Sequence, residues 1–336
     1  MRIAHLCTAH GFGHMTRQLA LGEQLRQLGC KPVYFASRPD LIYQSHANAT
    51  VIQWSIDVGL VQLDSLTIDL QQTKKRLAKR CSEEAIDRLA GALLTFDAAV
   101  ADVPPPGMEA CRRAGIPVIA TSNFEWAWIY SHYPELQQWE ELFRRWQLPH
   151  KALNLHPGPG LFDFSSIENA PYVAREANIS SLPKTSILVS FGGMGLHKLQ
   201  QLLPRIDGIY WVLAPPCPKI DRPDILYIEN VPYPDLIESC DIIFSKAGYS
   251  ILAEAMRAGK PLILVERNTF PEAKSLEQYA EKQRLDVVIR CGTNNISNFH
   301  QQLIQAVDYN RSKAPPARLQ NGAFAVAQRI ITLLNE

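Results

Sequence analysis

Residues 1–36 read MRIAHLCTAHGFGHMTRQLALGEQLRQLGCKPVYFA. Ile3 to Thr8 is an apolar run of strand length that ends in a turn rich in glycine and histidine. From Thr16 to Leu28 the apolar residues Leu19, Ala20, Leu25 and Leu28 fall at helical spacing, and Gly29 is a natural stop. Pro32 to Ala36 reads as a second strand. Strand, glycine turn, helix, strand is the unit of a parallel sheet with right-handed crossovers.

Outward from this unit the alternation continues. Helices are expected at Asp87–Thr95 and Gly107–Ala114, and strands at Ala98–Val103 and Pro117–Thr121. Segment 124–148 is rich in Trp and charge and reads as helical. Residues 149–183 lose periodicity among Pro149, Pro157, Gly158, Pro159, Gly160 and Pro171, as an interdomain connection would. A second strand–glycine–helix opening follows: Ser186 to Phe191, then Gly192, Gly193 and Gly195, then a helix from near Leu196. Strands at Tyr210–Leu213, Asp241–Phe244 and Pro261–Val265 alternate with helices at Ser250–Ala258 and Glu272–Gln283. The expected organisation is α/β: a Rossmann-like domain over 1–150, a linker over 151–183, a second Rossmann-like domain over 184–314 and a closing amphipathic helix over 315–336. Two such domains imply parallel sheets facing across a cleft, with ligands at the carboxyl ends of the strands.

Length and composition agree with this plan. A chain of 336 residues is two domains' worth, and 46% hydrophobic with 20% charged residues is the balance of a globular protein. The 34 basic and 33 acidic residues leave a net charge of +1, which excludes a strong overall field for nucleic acid. No run approaches the roughly twenty apolar residues of a membrane span. The first apolar run meets Gly and His too early for a signal peptide. Seven cysteines, scattered and without a CxxC pair, suit free thiols in a reducing cytoplasm and speak against zinc.

Three constellations carry chemistry. The first is His10-Gly11-Phe12-Gly13-His14, followed by Thr16 and Arg17. Glycines let backbone amides approach a ligand, a helix start favours an anion, and histidine is the commonest general base near neutral pH. A plain tight turn is the bland alternative, and a metal pair is weaker still because no partner carboxylate is evident. The second is Phe191-Gly192-Gly193-Met194-Gly195, a backbone cradle for a diphosphate. The third is SKAGYSILAEAMRAGKPLILVERNTFPE, residues 245–272. Here Gly248, Tyr249 and Ser250 open a helix carrying Glu254. That carboxylate either accepts two ribose hydroxyls or is a first-turn acid favoured by the helix dipole. Lys246, Arg267 and Glu272 follow strand ends on the same side.

A looser group comprises Asp57, Gly59, Gln62, Asp64 and Asp69, then Asp102, then Ser122-Asn123-Phe124-Glu125-Trp126; Asp102 and Asn123 terminate buried strands and so point into the cleft. Trp126, Trp128 and Tyr130 suit stacking on a sugar or, more commonly, core packing. The basic run Lys74, Lys75, Arg76, Lys79 and Arg80 reads as a solvated helix face, with weak contact to an anionic acceptor or membrane surface as the functional alternative. The chain has no GxxxxGK[ST], GxSxG, HExxH or DxD motif, so P-loop phosphoryl transfer, serine hydrolysis and zinc hydrolysis lose support.

The opening TAHGFGHMTR resembles that of the glycosyltransferase-like proteins forming the N-terminal half of plant-type L-arabinokinases. The resemblance runs on through DVGLVQLDSLTIDL, VADVPPPGMEACRRAGIPVIATSNFEWAWIYSHY and SCDIIFSKAGYSILAEAMRAGKPLILVERNTFPE, in order over most of the chain. The last stretch also resembles the nucleotide-sugar domain of MurG-type glycosyltransferases. The resemblance implies a GT-B architecture, a nucleotide-sugar donor on the C-terminal domain and an acceptor on the N-terminal one. It places Gly193, Gly248 and Glu254 on the donor, His10 and His14 on the acceptor side, and Arg267 and Glu272 at the donor sugar or diphosphate. Three departures stand out. The chain lacks a galactokinase-type domain, so sugar kinase activity is not implied. Glu272 to Glu277 replace the MurG-type DxxxQ loop, and Ala9 replaces the first glycine of the opening.

The function these residues imply is metal-independent glycosyl transfer from a nucleoside diphosphate sugar, a UDP-sugar by expectation, to a hydroxyl, with inversion favoured and no cofactor. His14 or His10 would be the base and Asp102 the fallback. Gly11, Gly13, Arg17, Asn123, Gly192, Gly193, Lys246, Gly248, Tyr249, Ser250, Glu254, Arg267 and Glu272 would bind substrate. A nucleotide-sugar epimerase and a catalytically silent nucleotide-sugar-binding protein are the alternatives.

Overall fold

The apolar runs of the sequence become the strands of two parallel sheets. The computed structural model describes residues 1–8, 11–45, 48–63, 67–178, 182, 185–192, 199–267, 270–283, 285–289 and 295–336. The chain divides into two compact units, one of Met1–Gln62, Ile68–Arg175 and Asn321–Glu336, the other of Leu63–Thr67 and Glu176–Gln320.

The first unit opens with β1 (Arg2–Cys7), α1 (Gly11–Gln27), β2 (Lys31–Ala36), α2 (Pro39–Ser45) and β3 (Val51–Gln53). Two helices, α3 (Leu70–Arg80) and α4 (Glu83–Leu93), lead to β4 (Ala98–Asp102), α5 (Pro105–Ala114) and β5 (Val118–Ser122). After α6 (Trp126–Tyr130), a 3-10 turn (Pro134–Leu136) and α7 (Gln137–Gln147) come β6 (Lys151–Leu155) and β7 (Ser166–Ala170). The strands lie in the order β3-β2-β1-β4-β5-β6-β7. β4 and β5 are buried at every position, as a sheet covered on both faces requires. Their alanines leave room for the covering helices. α5 starts on Pro105 and Pro106, which need no intrahelical donor, and stops at left-handed Gly115.

The second unit runs β8 (Ser186–Ser190), α8 (Leu199–Leu202), β9 (Tyr210–Leu213), β10 (Ile225–Tyr227), α9 (Tyr233–Ser239) and β11 (Ile242–Lys246). It continues with α10 (Tyr249–Ala258), β12 (Leu262–Val265), α11 (Ala273–Lys282), β13 (Asp286–Ile289) and α12 (Ile296–Arg311). Its sheet order is β10-β9-β8-β11-β12-β13. Phe191, Trp211, Phe244 and Phe299 form the bulk of its core.

Three differences from the sequence reading have physical causes. The helix after β1 begins at Gly11, not Thr16, so the two glycines and His14 belong to its first turns. Residues 151–183 are not only a connection: they supply β6 and β7, whose polar residues mask the strand pattern. The closing helix α13 (Ala323–Asn335) is shorter than 315–336 and returns to the first unit. Its Val326, Ala327, Ile330 and Leu333 pack with Ile3, Leu21, Leu25, Val100 and Ile119. Asn321 stitches this return by donating to the Ala174 carbonyl at 2.8 Å and accepting from its N–H at 3.1 Å.

Candidate active site

In the first sheet β2 lies on one side of β1 and β4 on the other, so the chain changes direction between β1 and β4. Such a switch point opens a crevice at the carboxyl ends of the two strands. The register pairs Cys7 with Asp102 there. α1 starts immediately beyond β1, and His14, Arg17 and Gln18 occupy one face of it because they are spaced three and four apart. That face meets Asp102.

Asp102 is fully buried, and both of its oxygens are engaged. Arg17 donates Nε to Oδ2 at 2.9 Å and Nη2 to Oδ1 at 2.7 Å, a two-pronged pairing. His14 Nδ1 lies 2.9 Å from the same Oδ1. Arg17 Nη2 also lies 3.0 Å from Nδ1; the tautomer with its proton on Nδ1 donates to Asp102, which only accepts, and the other tautomer accepts from Arg17. Burial alone would raise the Asp102 pKa; the charges and hydrogen bonds of Arg17 and His14 outweigh it and hold the group below its ordinary value. Arg17 Nη1 donates to Asn123 Oδ1. Asn123 in turn donates Nδ2 to the carbonyls of Leu155 at 2.9 Å and Pro157 at 2.7 Å. The turn after β6 thereby reaches the same network. Gly158 permits it, since a Cβ there would stand 2.1 Å from the Asn123 carbonyl oxygen. The His14 ring meets the Phe124 ring edge-on, centroids 5.3 Å apart.

A second buried row lies beneath. Gln18 Nε2 donates to Thr121 Oγ1 at 3.0 Å, which leaves Oε1 to accept from His5 Nδ1 at 2.7 Å. Burial drives the His5 pKa down to about 4 against that hydrogen bond, so the ring is neutral at neutral pH. Beside it Thr8 Oγ1 donates to buried Asp57 Oδ2 at 2.5 Å.

The second unit has its own switch point, between β8 and β11. Ser245 Oγ donates to the Ser190 carbonyl at 2.5 Å and Tyr233 OH donates to Ser190 Oγ, binding the two strand ends. Gly192 follows β8 at a φ of 69°, a left-handed backbone. Gly248 caps α10 in an extended conformation, and the first N–H groups of that helix emerge at the strand end without intrahelical acceptors. Arg267, past the end of β12, is buried with its guanidinium 3.4 Å from the centroid of the Phe270 ring and Nη1 3.4 Å from the Ala247 carbonyl. Glu272 is buried at the start of α11, and its Oε2 has no partner among the described residues.

The expected residues therefore divide. His14, Arg17, Asp102 and Asn123 come together in the first unit; Gly11 and Gly13 stand in the helix beside them. Arg17 and Asn123, expected to hold substrate, spend their polar atoms inside the protein. Gly192, Lys246, Gly248, Tyr249, Ser250 and Arg267 lie at carboxyl strand ends of the second unit. Glu254 is in the second turn of α10 and buried, so it is not a first-turn acid. His10, Asp64 and Gly193 lie outside the described residues. Trp126 and Tyr130 are buried among core side chains, while Trp128 is half-buried. Gln18, His5, Thr8 and Ser190 escaped the sequence reading as site residues. Gln18 alone carried a signal, its helical phase with His14. Among the described residues no three His, Cys, Asp or Glu side chains gather as metal ligands would, and no helix is long and apolar enough to cross a membrane.

Two parallel α/β sheets of this order match the GT-B fold of solved glycosyltransferases. The spinosyn forosaminyltransferase SpnP aligns over 100% of both chains with a TM-score of 0.67 and 15% identity. A UDP-glucosyltransferase from Polygonum tinctorium aligns over 100% of this chain and 98% of its own, with a TM-score of 0.64 and 13% identity. The spinosyn rhamnosyltransferase SpnG, in complex with thymidine diphosphate, covers 100% and 95% with a TM-score of 0.59 and 13% identity. By sequence, the chain is similar to an L-arabinokinase from Arabidopsis thaliana, 23% identical over 309 residues. That match spans 83% of this chain and 29% of the relative's length. No family model matches.

Proposed function

We propose that this chain is a glycosyltransferase that moves a sugar from a nucleoside diphosphate sugar to an acceptor hydroxyl. The observation that carries the reading is the buried His14–Asp102–Arg17–Asn123 network at the β1/β4 switch point of a GT-B fold. His14 is the base. Asp102 fixes its ring through Nδ1, so Nε2 takes the acceptor proton as the acceptor oxygen bonds to the anomeric carbon and the diphosphate leaves. Asp102 itself, held below its ordinary pKa and spanned by Arg17, is a poor base and acts by positioning. Arg17 positions Asp102, and Asn123 holds Arg17.

On the donor side, Gly192 and the start of α10 supply main-chain dipoles for the charge that develops on the leaving diphosphate, and Lys246 and Arg267 add cationic charge. The donor base is a pyrimidine: one neighbour is named for UDP and another holds thymidine diphosphate. A single base and direct displacement invert the anomeric centre.

The test is a thermal-shift screen of nucleotides and nucleotide sugars, followed by incubation of each stabilising donor with pooled acceptors. A bound donor raises the midpoint according to its concentration over its dissociation constant. Acceptor-dependent release of the nucleoside diphosphate supports the proposal. Conversion of the donor alone would make the protein an epimerase, and stabilisation without turnover a binding protein.

A further inference from the structure

We propose that the exposed face of α3 docks the first unit onto an anionic lipid bilayer. The helix reads LQQTKKRLAKR, with Lys74, Lys75, Arg76, Lys79 and Arg80 inside seven consecutive positions. Lys75, Arg76 and Lys79 are exposed, while Thr73 and Leu77 are buried on the opposite face. None of the five cations makes an ion pair or side-chain hydrogen bond with a described residue. Of the acids nearby, Asp69 caps α3 by accepting from the Gln72 N–H at 2.9 Å, Glu83 and Asp87 pair with Arg113 at 2.7 and 2.8 Å, and exposed Glu84 makes no ion pair with a described residue. With a net charge of only +1 on the whole chain, this is a local concentration of charge, not a reflection of the average.

Its setting favours a bilayer. α3 packs against the 3-10 turn Pro134–Leu136. Just before that turn stand half-buried Trp128 and exposed His132, ring centroids 4.7 Å apart. Trp and Lys are both residue types enriched at membrane interfaces. The helix carries no aromatic residue on which nucleic acid bases would stack. The 57–62 segment joins α3 to α6, through the Val61 N–H to Thr73 Oγ1 at 2.9 Å and Tyr130 OH to the Gly59 carbonyl at 2.7 Å. Both helices follow carboxyl strand ends, the edge that holds His14 and Asp102. The docking does not rest on the proposed transfer.

The full-length protein is sedimented with vesicles of phosphatidylcholine alone and of phosphatidylcholine mixed with phosphatidylglycerol. Binding is expected only to the mixed vesicles and is lost as ionic strength rises. The triple variant Lys75→Gln, Arg76→Gln, Lys79→Gln should bind about 100-fold more weakly, at roughly fivefold per cation. Its thermal midpoint and donor binding should stay unchanged, which separates this test from the donor reading. A control with the same charge change, Lys219→Gln, Arg311→Gln, Lys313→Gln, should bind like the parent. Absence of binding to mixed vesicles at low ionic strength, equal binding by the triple variant, or binding to RNA in place of vesicles would overturn the proposal. If the triple variant does not fold, single Lys75→Glu and Lys79→Glu variants give the same reading, each weakening or failing to weaken vesicle binding.

Discussion

The two switch points spend polarity differently. At the end of β1 and β4, a carboxylate, a guanidinium, an imidazole and an amide satisfy one another away from water. At the end of β8 and β11, hydroxyls tie the strands together, and a left-handed glycine and a helix start stand at the strand ends. The first arrangement fixes a proton-handling ring in one orientation. The second suits charge that arrives with a ligand. Uniting two such sites in one chain is what a transfer reaction with a base and a charged leaving group calls for.

The sharpest way to break this contrast is Asp102→Asn. It leaves the Arg17 guanidinium buried without its counter-charge, so the expected loss is about 3–5 kcal/mol and roughly 10 °C in the unfolding midpoint of the first unit. A midpoint within about 2 °C of the parent would show that Arg17 does not depend on that carboxylate.

The pH dependence of stability comes next. His5 has a folded pKa of about 4 against 6.5 unfolded, so its contribution is intact above pH 6.5 and is lost as pH falls toward 4. The loss is on the order of 3 kcal/mol, and denaturant titrations of the parent and His5→Leu at neutral and acid pH should differ by that slope. Glu125 has the opposite sign. Burial first, then Asp163, raise its carboxyl well above the usual range, against the N–H groups of Phe162 and Asp163. Its contribution is present below the ordinary carboxylate pKa and is lost as pH rises through the raised value. Glu125→Gln should remove that alkaline loss; an unchanged profile would place the ionised carboxylate in the fold at neutral pH.

The smallest effect belongs to the second unit. Gly192→Ala meets no atom of a described residue within 4 Å but must hold a φ of 69°, at a cost of about 1–2 kcal/mol. Donor affinity should weaken with it while the acid–base behaviour of the first unit stays as it was. Unaltered donor affinity would remove the turn after β8 from the donor site.

Most of the strands were legible because central parallel strands are continuous apolar runs; Ser186–Ser190 and Ile242–Lys246 stand out in the sequence. β7 was not, because Ser166–Ala170 is an edge strand with four of its five residues at least partly exposed. The partner of α13 was also hidden, since amphipathic spacing reveals a buried face but not what covers it. For the site, His14 and Asp102 were each visible, yet they lie 88 residues apart and meet only because β1 and β4 are neighbours. Arg17 and Asn123 were recognised as functional but given to ligand. A sequence cannot show that a guanidinium already has a buried carboxylate to hold.

The central claim is that His14 handles the acceptor proton and does not hold the donor. Calorimetric donor titration and transfer turnover, measured side by side on the parent and His14→Ala, test it most directly. The account predicts a donor dissociation constant within about twofold of the parent and turnover lower by roughly 10² to 10⁴. An equal loss of donor affinity and turnover would contradict it.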